Sequence, residues 1–394
     1  MNYKQSILKR NTELFLMSPF VLLGKVAGKI FKLKTRHSIF LFFPTADIGG
    51  SIKVNADIAN CIKDARPLII FSKTPKDNGL RALYDIDGVR IIDVHKYVDK
   101  KLFHFVNFFF RGVIASWINV AERPVVFGGE SMFFYKIIPH VKKGTRCVEL
   151  CHLGTWFNFS QAFVKYMNVR IFSSPQIKRD VEEQYKHNNV PSLYLDRLRF
   201  IDNKVDIPPV TVIKNPALEV LFVGRGAPQK RVHLIAEIAK RMHLAKCNVH
   251  FSFAGDVDKI IPEDVKQYVT LYGSLNAEQL SDVYHRADVL LLTSSFEGLP
   301  IVVMDMMARG KVVVSTAVGG IPDYIIPKHT GFLIREQDEE KIVAQAIEYL
   351  NVLTEHDQLR ETIGQNAYKY ALAHFSTEQF CSSYRNILLG NVPV

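Results

Sequence analysis

Glu297 and Asp305 stand eight positions apart across a junction suited to holding a phosphate. Val289 to Thr293 is an apolar run that reads as a buried strand. The polar corner Ser294-Ser295-Phe296-Glu297-Gly298-Leu299 follows, and Pro300 opens a helix-like stretch. Proline suits a first helical turn, because amides there have no intrahelical partner. Such free amides and the helix dipole together make the corner a seat for an anion. Glu297 sits at its lip, and Asp305 falls about 12 Å further along the axis at ~1.5 Å per residue. Two carboxylates flanking a phosphate seat suit a nucleotide-sugar, one holding sugar hydroxyls and the other the ribose.

A second corner carries cations. Val220 to Gly224 reads as a strand, and Arg225-Gly226-Ala227-Pro228-Gln229-Lys230-Arg231 leads into a helix. Gly224 and Gly226 permit a positive φ or a close backbone approach. Arg225 offers a planar fork for phosphate oxygens, Lys230 adds a compact charge, and Arg231 is a spare. A diphosphate leaving group gains negative charge as its bond to the sugar breaks. Cations placed there stabilise the transition state more than the ground state. Other strand ends supply further candidates. Gly49 and Gly50 follow the run Ile39–Phe43 and allow a tight turn into a helix whose N-terminus would face a cleft. His152 ends the run from Arg146 to Cys151, and its imidazole can donate or accept. Tyr272 and Ser274 lie at the end of the run from Val269.

In this order the segments resemble the signature set of the retaining GT-B glycosyltransferases, family 4, also called group 1. The resemblance is specific over about residues 218 to 335, loose over 38 to 175, and excludes the first 36. It implies that Arg225 and Lys230 hold the donor diphosphate. Glu297 would position the sugar hydroxyls beside the reacting centre, and His152 would touch the transferred sugar. Asp305 stands where the family has a ribose-binding glutamate. Gly298, Leu299, Gly49 and Gly50 would line the donor, and Tyr272 and Ser274 the base. Val318-Gly319-Gly320-Ile321-Pro322-Asp323 is similar to a further family segment, again with aspartate in place of glutamate. The implied reaction is sugar transfer with retention, without a bound metal or a cofactor beyond the nucleotide-diphospho-sugar co-substrate. Two alternatives stay open. One is another GT-B enzyme, a sugar-nucleotide epimerase or a polyol-phosphate polymer transferase, to which His152-Leu153-Gly154-Thr155 is faintly similar. The other is a non-catalytic GT-B partner protein.

Elements to carry these groups are legible as apolar runs alternating with amphipathic stretches, the pattern of an α/β chain with parallel sheets. Strands are expected at Ile39–Phe43, Leu68–Phe71, Val89–Val94, Val125–Phe127, Arg146–Cys151 and Val169–Ser173. A second set is expected at Val220–Gly224, Val249–Ala254, Val269–Tyr272, Val289–Thr293 and Val312–Thr316, with helices from Asp338 onward. Asp202 to Pro216, with three prolines and no helical period, reads as a linker. The organisation expected is two Rossmann-like domains facing a central cleft: an acceptor domain at 37–205 and a nucleotide-sugar domain at 206–375. A C-terminal helix at 376–394 would cross back to the first.

Residues 1–36 hold eight basic side chains against Glu13 alone, a surplus of seven within the chain's net +11. Leu14 to Leu23 lies between the basic clusters. At ten residues it is too short to span a bilayer core of ~30 Å. Lys25 and Lys29 stand where a signal peptide would have its cleavage site. A basic segment with an apolar middle suits an anchor on an anionic membrane surface, or a helix packed on the body with its lysines in water. Its aliphatic run argues against nucleic acid, which is bound through charge. A second apolar cluster, Phe103 to Phe110, suits membrane docking or packing under the first domain equally. The expected acceptor is a glycan or a lipid-linked one, and the expected location is cytoplasmic, peripheral at the inner face of the cell membrane. Five cysteines without zinc-ligand spacing suggest free thiols in a reducing compartment.

Overall fold

Central strands of a parallel sheet are covered on both faces, so they are written as unbroken apolar runs. Ile39-Phe40-Leu41-Phe42-Phe43 and Val289-Leu290-Leu291-Leu292 are two such runs, and every residue of both is buried. The computed structural model describes residues 2–100, 104–152, 157–211, 213–297 and 301–390. It divides into two units, one running to Ile201 and resuming at Phe380, the other Asp202–Gln379.

The first unit holds β1 (Ile39–Phe43), β2 (Leu68–Phe71), β3 (Arg90–Asp93), β4 (Val125–Gly129), β5 (Arg146–Cys151), β6 (Val169–Phe172) and β7 (Leu198–Phe200). All pair in parallel in the order β3-β2-β1-β4-β5-β6-β7. The second holds β8 (Leu218–Val223), β9 (Val249–Ala254), β10 (Val269–Gly273), β11 (Val289–Leu292), β12 (Val312–Thr316) and β13 (Phe332–Ile334). These are also parallel, ordered β10-β9-β8-β11-β12-β13. Both sheets are doubly wound and Rossmann-like. The winding reverses between β1 and β4 in one and between β8 and β11 in the other, and ligands of such sheets gather outside the strand ends at those reversals. The sequence pattern predicts neither β7 nor β13; at three residues each they carry too little of it to read.

Helix α1 (Tyr3–Ile30) begins at a capping box made by Asn2 and Gln5. It crosses α3 (His104–Val120) through a seam of small residues. A Cβ on Gly24 would fall 1.9 Å from the Phe109 carbonyl oxygen, and one on Gly112 would fall 2.1 Å from that of Val21. Pro19 lacks the amide that would bond the Phe15 carbonyl, and the Ser18 hydroxyl donates to that carbonyl instead, at 2.8 Å. Arg10 is buried, donates to the Ala162 carbonyl and lies over the Tyr166 ring, pinning the helix start to the body.

Between α1 and α3 in the chain, α2 (Gly50–Cys61) packs on β1 and β4. Its buried Asn55 donates to the Gly129 carbonyl, where any side chain on Gly129 would collide with it. A helix near the C-terminus, Thr377–Leu388, sets Phe380, Tyr384 and Leu388 in the core around β1. Cys381 on it is disulfide-bonded to Cys61, which corrects the expectation of free thiols for this pair. The partners stand 320 residues apart, so no local spacing announces them. Arg385 adds an ion pair to Asp64 at 2.6 Å beside the bridge. Cys147 and Cys151 remain free and buried.

Peptide mapping of the oxidised protein without reductant should link the Cys61 and Cys381 peptides and leave Cys147 and Cys151 unalkylated until unfolding. Reducing the bridge should cost about 2–4 kcal/mol of stability. Free, equally reactive thiols at 61 and 381 after oxidation would contradict the pairing.

Candidate functional site

The loops that leave β8 and β11 are laced together side by side. After β8 the chain runs through Pro228-Gln229-Lys230, a single 3-10 turn, to Arg231 in the left-handed region at φ 45°, and into α4 (Val232–Leu244). The Arg231 guanidinium reaches across to the Thr293 carbonyl at 2.7 Å and the Ser294 carbonyl at 3.0 Å. Thr293 answers, its hydroxyl within 3.2 Å of the Lys230 carbonyl and 3.0 Å of the Arg231 carbonyl. The Ser295 amide donates to the Gln229 carbonyl at 2.7 Å. Thr316, from the end of β12, donates to the Ser294 carbonyl at 2.6 Å.

Inside this lacing Lys230 makes an ion pair with Glu297. Glu297 is only 7% exposed, and the Ser294 hydroxyl donates to the same carboxylate oxygen at 2.6 Å. A carboxylate taken this far out of water needs its cation, and losing one partner of such a pair costs about 3–5 kcal/mol. Two residues singled out in sequence therefore meet in space. Arg225 is exposed just upstream. Gly226 and Gly255 serve by close approach: a Cβ on Gly226 would fall 2.4 Å from the Asp256 carbonyl oxygen, and one on Gly255 would fall 1.9 Å from that of Gly224. Asp305, on α5 (Ile301–Met307), has Arg309, in the turn just past the helix, as an ion partner at 3.5 Å. Tyr272 and Ser274 end β10 at the surface, beside Gly273 at φ 64°. Gly298, Leu299 and Pro300 lie outside the described residues. Arg231, a spare cation by sequence, ties the loops in the structure, and Ser294, which no motif position marks, holds the acid.

In the first unit Gly49 caps α2 with an extended backbone, and Gly50 opens the helix. The loop before it is fixed by Asp47, whose Oδ1 accepts amides from Lys76 at 2.9 Å, Asp77 at 3.2 Å and Asn78 at 3.1 Å. Partial burial opposes ionisation of Asp47, but these donors outweigh it and hold its carboxyl below the usual range. Glu130, the first residue past β4, sits in the left-handed region at φ 55° and accepts the His152 amide at 3.1 Å. Strained backbone of this kind concentrates at functional sites. Nothing in the sequence marks Glu130 beyond the preceding Gly128-Gly129.

His152 leaves β5 with its Nε2 buried and without a hydrogen-bond partner among the described residues; Leu153 to Trp156 lie outside them. Behind it Glu149 and Arg170 form a fully buried ion pair, with Tyr135 on the acid, and Tyr185 at 2.6 Å and Ser160 at 2.8 Å on the guanidinium. A cavity of about 410 Å³ opens at the ends of β1, β2 and β4; Val98, Met132 and Phe133 line it together with Lys73, Asp99, Asn107, Glu130 and Lys136.

Residues 204–370 match the family model for glycosyl transferases, group 1. An uncharacterized glycosyltransferase of Methanocaldococcus jannaschii is 24% identical over 42% of this chain and 46% of its own length. The sulfoquinovosyl transferase of Arabidopsis thaliana is 32% identical over 38% of this chain and 29% of its own. A putative colanic acid biosynthesis glycosyltransferase of Salmonella typhimurium is 25% identical over 46% of each chain. The chain thus spans less than half the length of these three relatives. Among solved structures, Anabaena HepE in complex with UDP matches 89% of this chain and 99% of its own with a TM-score of 0.69 at 15% identity. The pneumococcal O-GlcNAc transferase GtfA in complex with UDP and GlcNAc matches 90% of this chain and 99% of its own, with a TM-score of 0.71 at 11% identity. At these identities the likeness is one of fold: two Rossmann-like domains of the GT-B class.

Burial pushes the His152 imidazole down to about 4, and burial with nearby Arg111 and Lys25 does the same to His140. An unfolded histidine titrates near ~6.5. Between those values the unfolded chain binds protons that the native one refuses, so stability is whole above pH ~6.5 and falls as pH drops through the window. Denaturation between pH 7 and 5 should show this loss. The His152 ring signals in NMR should still report a neutral imidazole at the acid end, and a ring titrating near ~6.5 would contradict the buried setting.

Proposed function

We propose that this chain is a retaining glycosyltransferase of family 4. It moves a sugar from a nucleotide-diphospho-sugar to a glycan or lipid-linked acceptor in the synthesis of a cell-surface polysaccharide or lipopolysaccharide. One observation carries the reading: Lys230 and Glu297 meet at the winding reversal of the second sheet, within the segment that matches the group 1 family. Structural neighbours that carry UDP or UDP-glucose support a nucleotide-sugar as donor. A relative named lipopolysaccharide 1,2-N-acetylglucosaminetransferase, 25% identical over 32% of this chain, supports a surface glycan as product.

In this mechanism Arg225 and Lys230 neutralise the diphosphate as its bond to the anomeric carbon breaks, work that a divalent cation performs in other transferases. Glu297 exchanges its contact with Lys230 for the sugar hydroxyls, and its charge steadies the positive character that develops at the anomeric carbon. The acceptor hydroxyl attacks from the face the diphosphate leaves, and its proton passes to a departing phosphate oxygen, so configuration is retained. His152, neutral by burial, contacts the sugar. Asp305 would reach the ribose by giving up Arg309, and Tyr272 and Ser274 would border the base. The cavity of the first unit, with its mixed apolar and charged lining, would take the acceptor.

A melting-temperature screen over nucleotide-sugars should reveal the donor, because a ligand bound only by the native state raises the midpoint by mass action. With that donor, Glu297→Gln should cost about 100-fold or more in nucleoside diphosphate release while retaining binding. Arg225→Ala and Lys230→Ala should weaken binding itself. Full turnover by Glu297→Gln would refute the assignment.

A further inference from the structure

Helix α1 is built the wrong way round for a helix facing water. Its body side is Tyr3, Ser6, Arg10, Val21, Gly24 and Gly28, all buried. The opposite side, at the same three-to-four spacing, runs Leu8, Phe15, Leu16, Leu22, Leu23, Val26 and Ile30, and every one of these is more than half exposed, Phe15 to 77%. An ordinary surface helix puts charge on that side. Thr12 and Pro19 fill the remaining places of the stripe, which carries no charge over about 33 Å of axis at ~1.5 Å per residue. Phe20 carries the apolar surface over to α3, its ring 6.4 Å from that of Phe105.

The borders of this stripe are cationic. Lys4, Lys9 and Lys29 are exposed and Lys25 half-exposed along its flanks, and Lys32, Lys34 and Arg36 follow its end. The helix has one acid, Glu13, and it is turned inward to Arg111 at 3.7 Å. Arg111 is itself fixed by Asn107 at 2.8 Å and by the Met17 sulfur at 3.0 Å. The glycine seam, Arg10 and the Trp117 indole, which donates to the Phe31 carbonyl at 2.8 Å, hold the helix to the body along its length. The exposed stripe is thus a fixed feature of the folded chain.

We propose that the α1–α3 pair is a membrane-docking face that lies in the plane of an anionic bilayer surface. The occupant follows from charge. Lysine borders around an apolar strip match acidic headgroups above and acyl chains below. A second copy of the chain would bring the same cations against them. No helix among the described residues is long and apolar enough to cross a membrane, so the face lies along the surface and does not pass through it. The inference is independent of the donor chemistry and is read without turnover.

The test is co-sedimentation of the full chain with phosphatidylcholine vesicles, with and without phosphatidylglycerol. The parent should pellet with the anionic vesicles, less so in high salt. Phe15→Glu with Leu23→Glu alters only exposed side chains; it should keep the parent's melting curve and lose at least about tenfold in vesicle affinity. Lys9, Lys25 and Lys29 changed together to Gln should lose about 100-fold on anionic vesicles and little on neutral ones. A parent that stays in the supernatant with anionic vesicles would overturn the proposal. So would an acidic double variant that binds as tightly as the parent. A parent dimer that the same substitutions dissociate, without vesicle binding, would assign the face to a second copy instead.

Discussion

The ion pair between Lys230 and Glu297 is the interaction on which the second unit's functional reading depends. A carboxylate at 7% exposure is stable only with a cation and donors at hand. Lys230 supplies the cation and Ser294 the donor, and both arrive on loops that the fold places side by side because β8 and β11 are neighbours across the winding reversal. Arg231, Thr293, Ser295 and Thr316 then lock the loops with backbone carbonyls as acceptors, which leaves few ways for the pair to drift apart. A buried pair of this kind is weak evidence for stability and better evidence for use, since hydrophobic residues would hold the loops at less desolvation cost.

The same economy shows in the first unit. The loop after β1 is tied by Asp47, the one after β4 bends through a left-handed Glu130, and that glutamate takes the amide of His152. The loop after β1 is thereby fixed to the loop after β2, and the end of β4 to the end of β5, before any ligand arrives. Beside them His152 is kept neutral by burial, with one ring nitrogen unpartnered among the described residues.

Much of this was legible in sequence, and the limits have physical causes. Long buried strands such as Ile39–Phe43 and Val312–Thr316 announce themselves because both faces must be apolar, whereas β7 and β13 are too short to hold a pattern. Lys230 and Glu297 could be picked out by motif, yet their direct contact could not, since it depends on which strands neighbour each other. Asp305 shows the reverse: spacing put it beside the ribose, and the fold offers it Arg309 one turn on. Glu130 was invisible because a left-handed φ on a non-glycine leaves no mark in composition. The cysteine pairing was missed because its partners are joined only by tertiary packing. For α1, composition could not say which side faces the body; the glycine seam decides it, and it turns the leucines outward.

If Lys230 must leave Glu297 to meet a phosphate, the two residues are thermodynamically coupled in nucleotide binding. A double-mutant cycle of Lys230→Met and Glu297→Gln, read by calorimetry with a nucleoside diphosphate, measures that coupling directly. Removing the acid should tighten binding several-fold more when Lys230 is present than when it is absent, because only then is a competing pair broken. Equal gains in the two backgrounds, or no binding by the parent chain, would contradict a shared seat for the cation, the acid and the diphosphate.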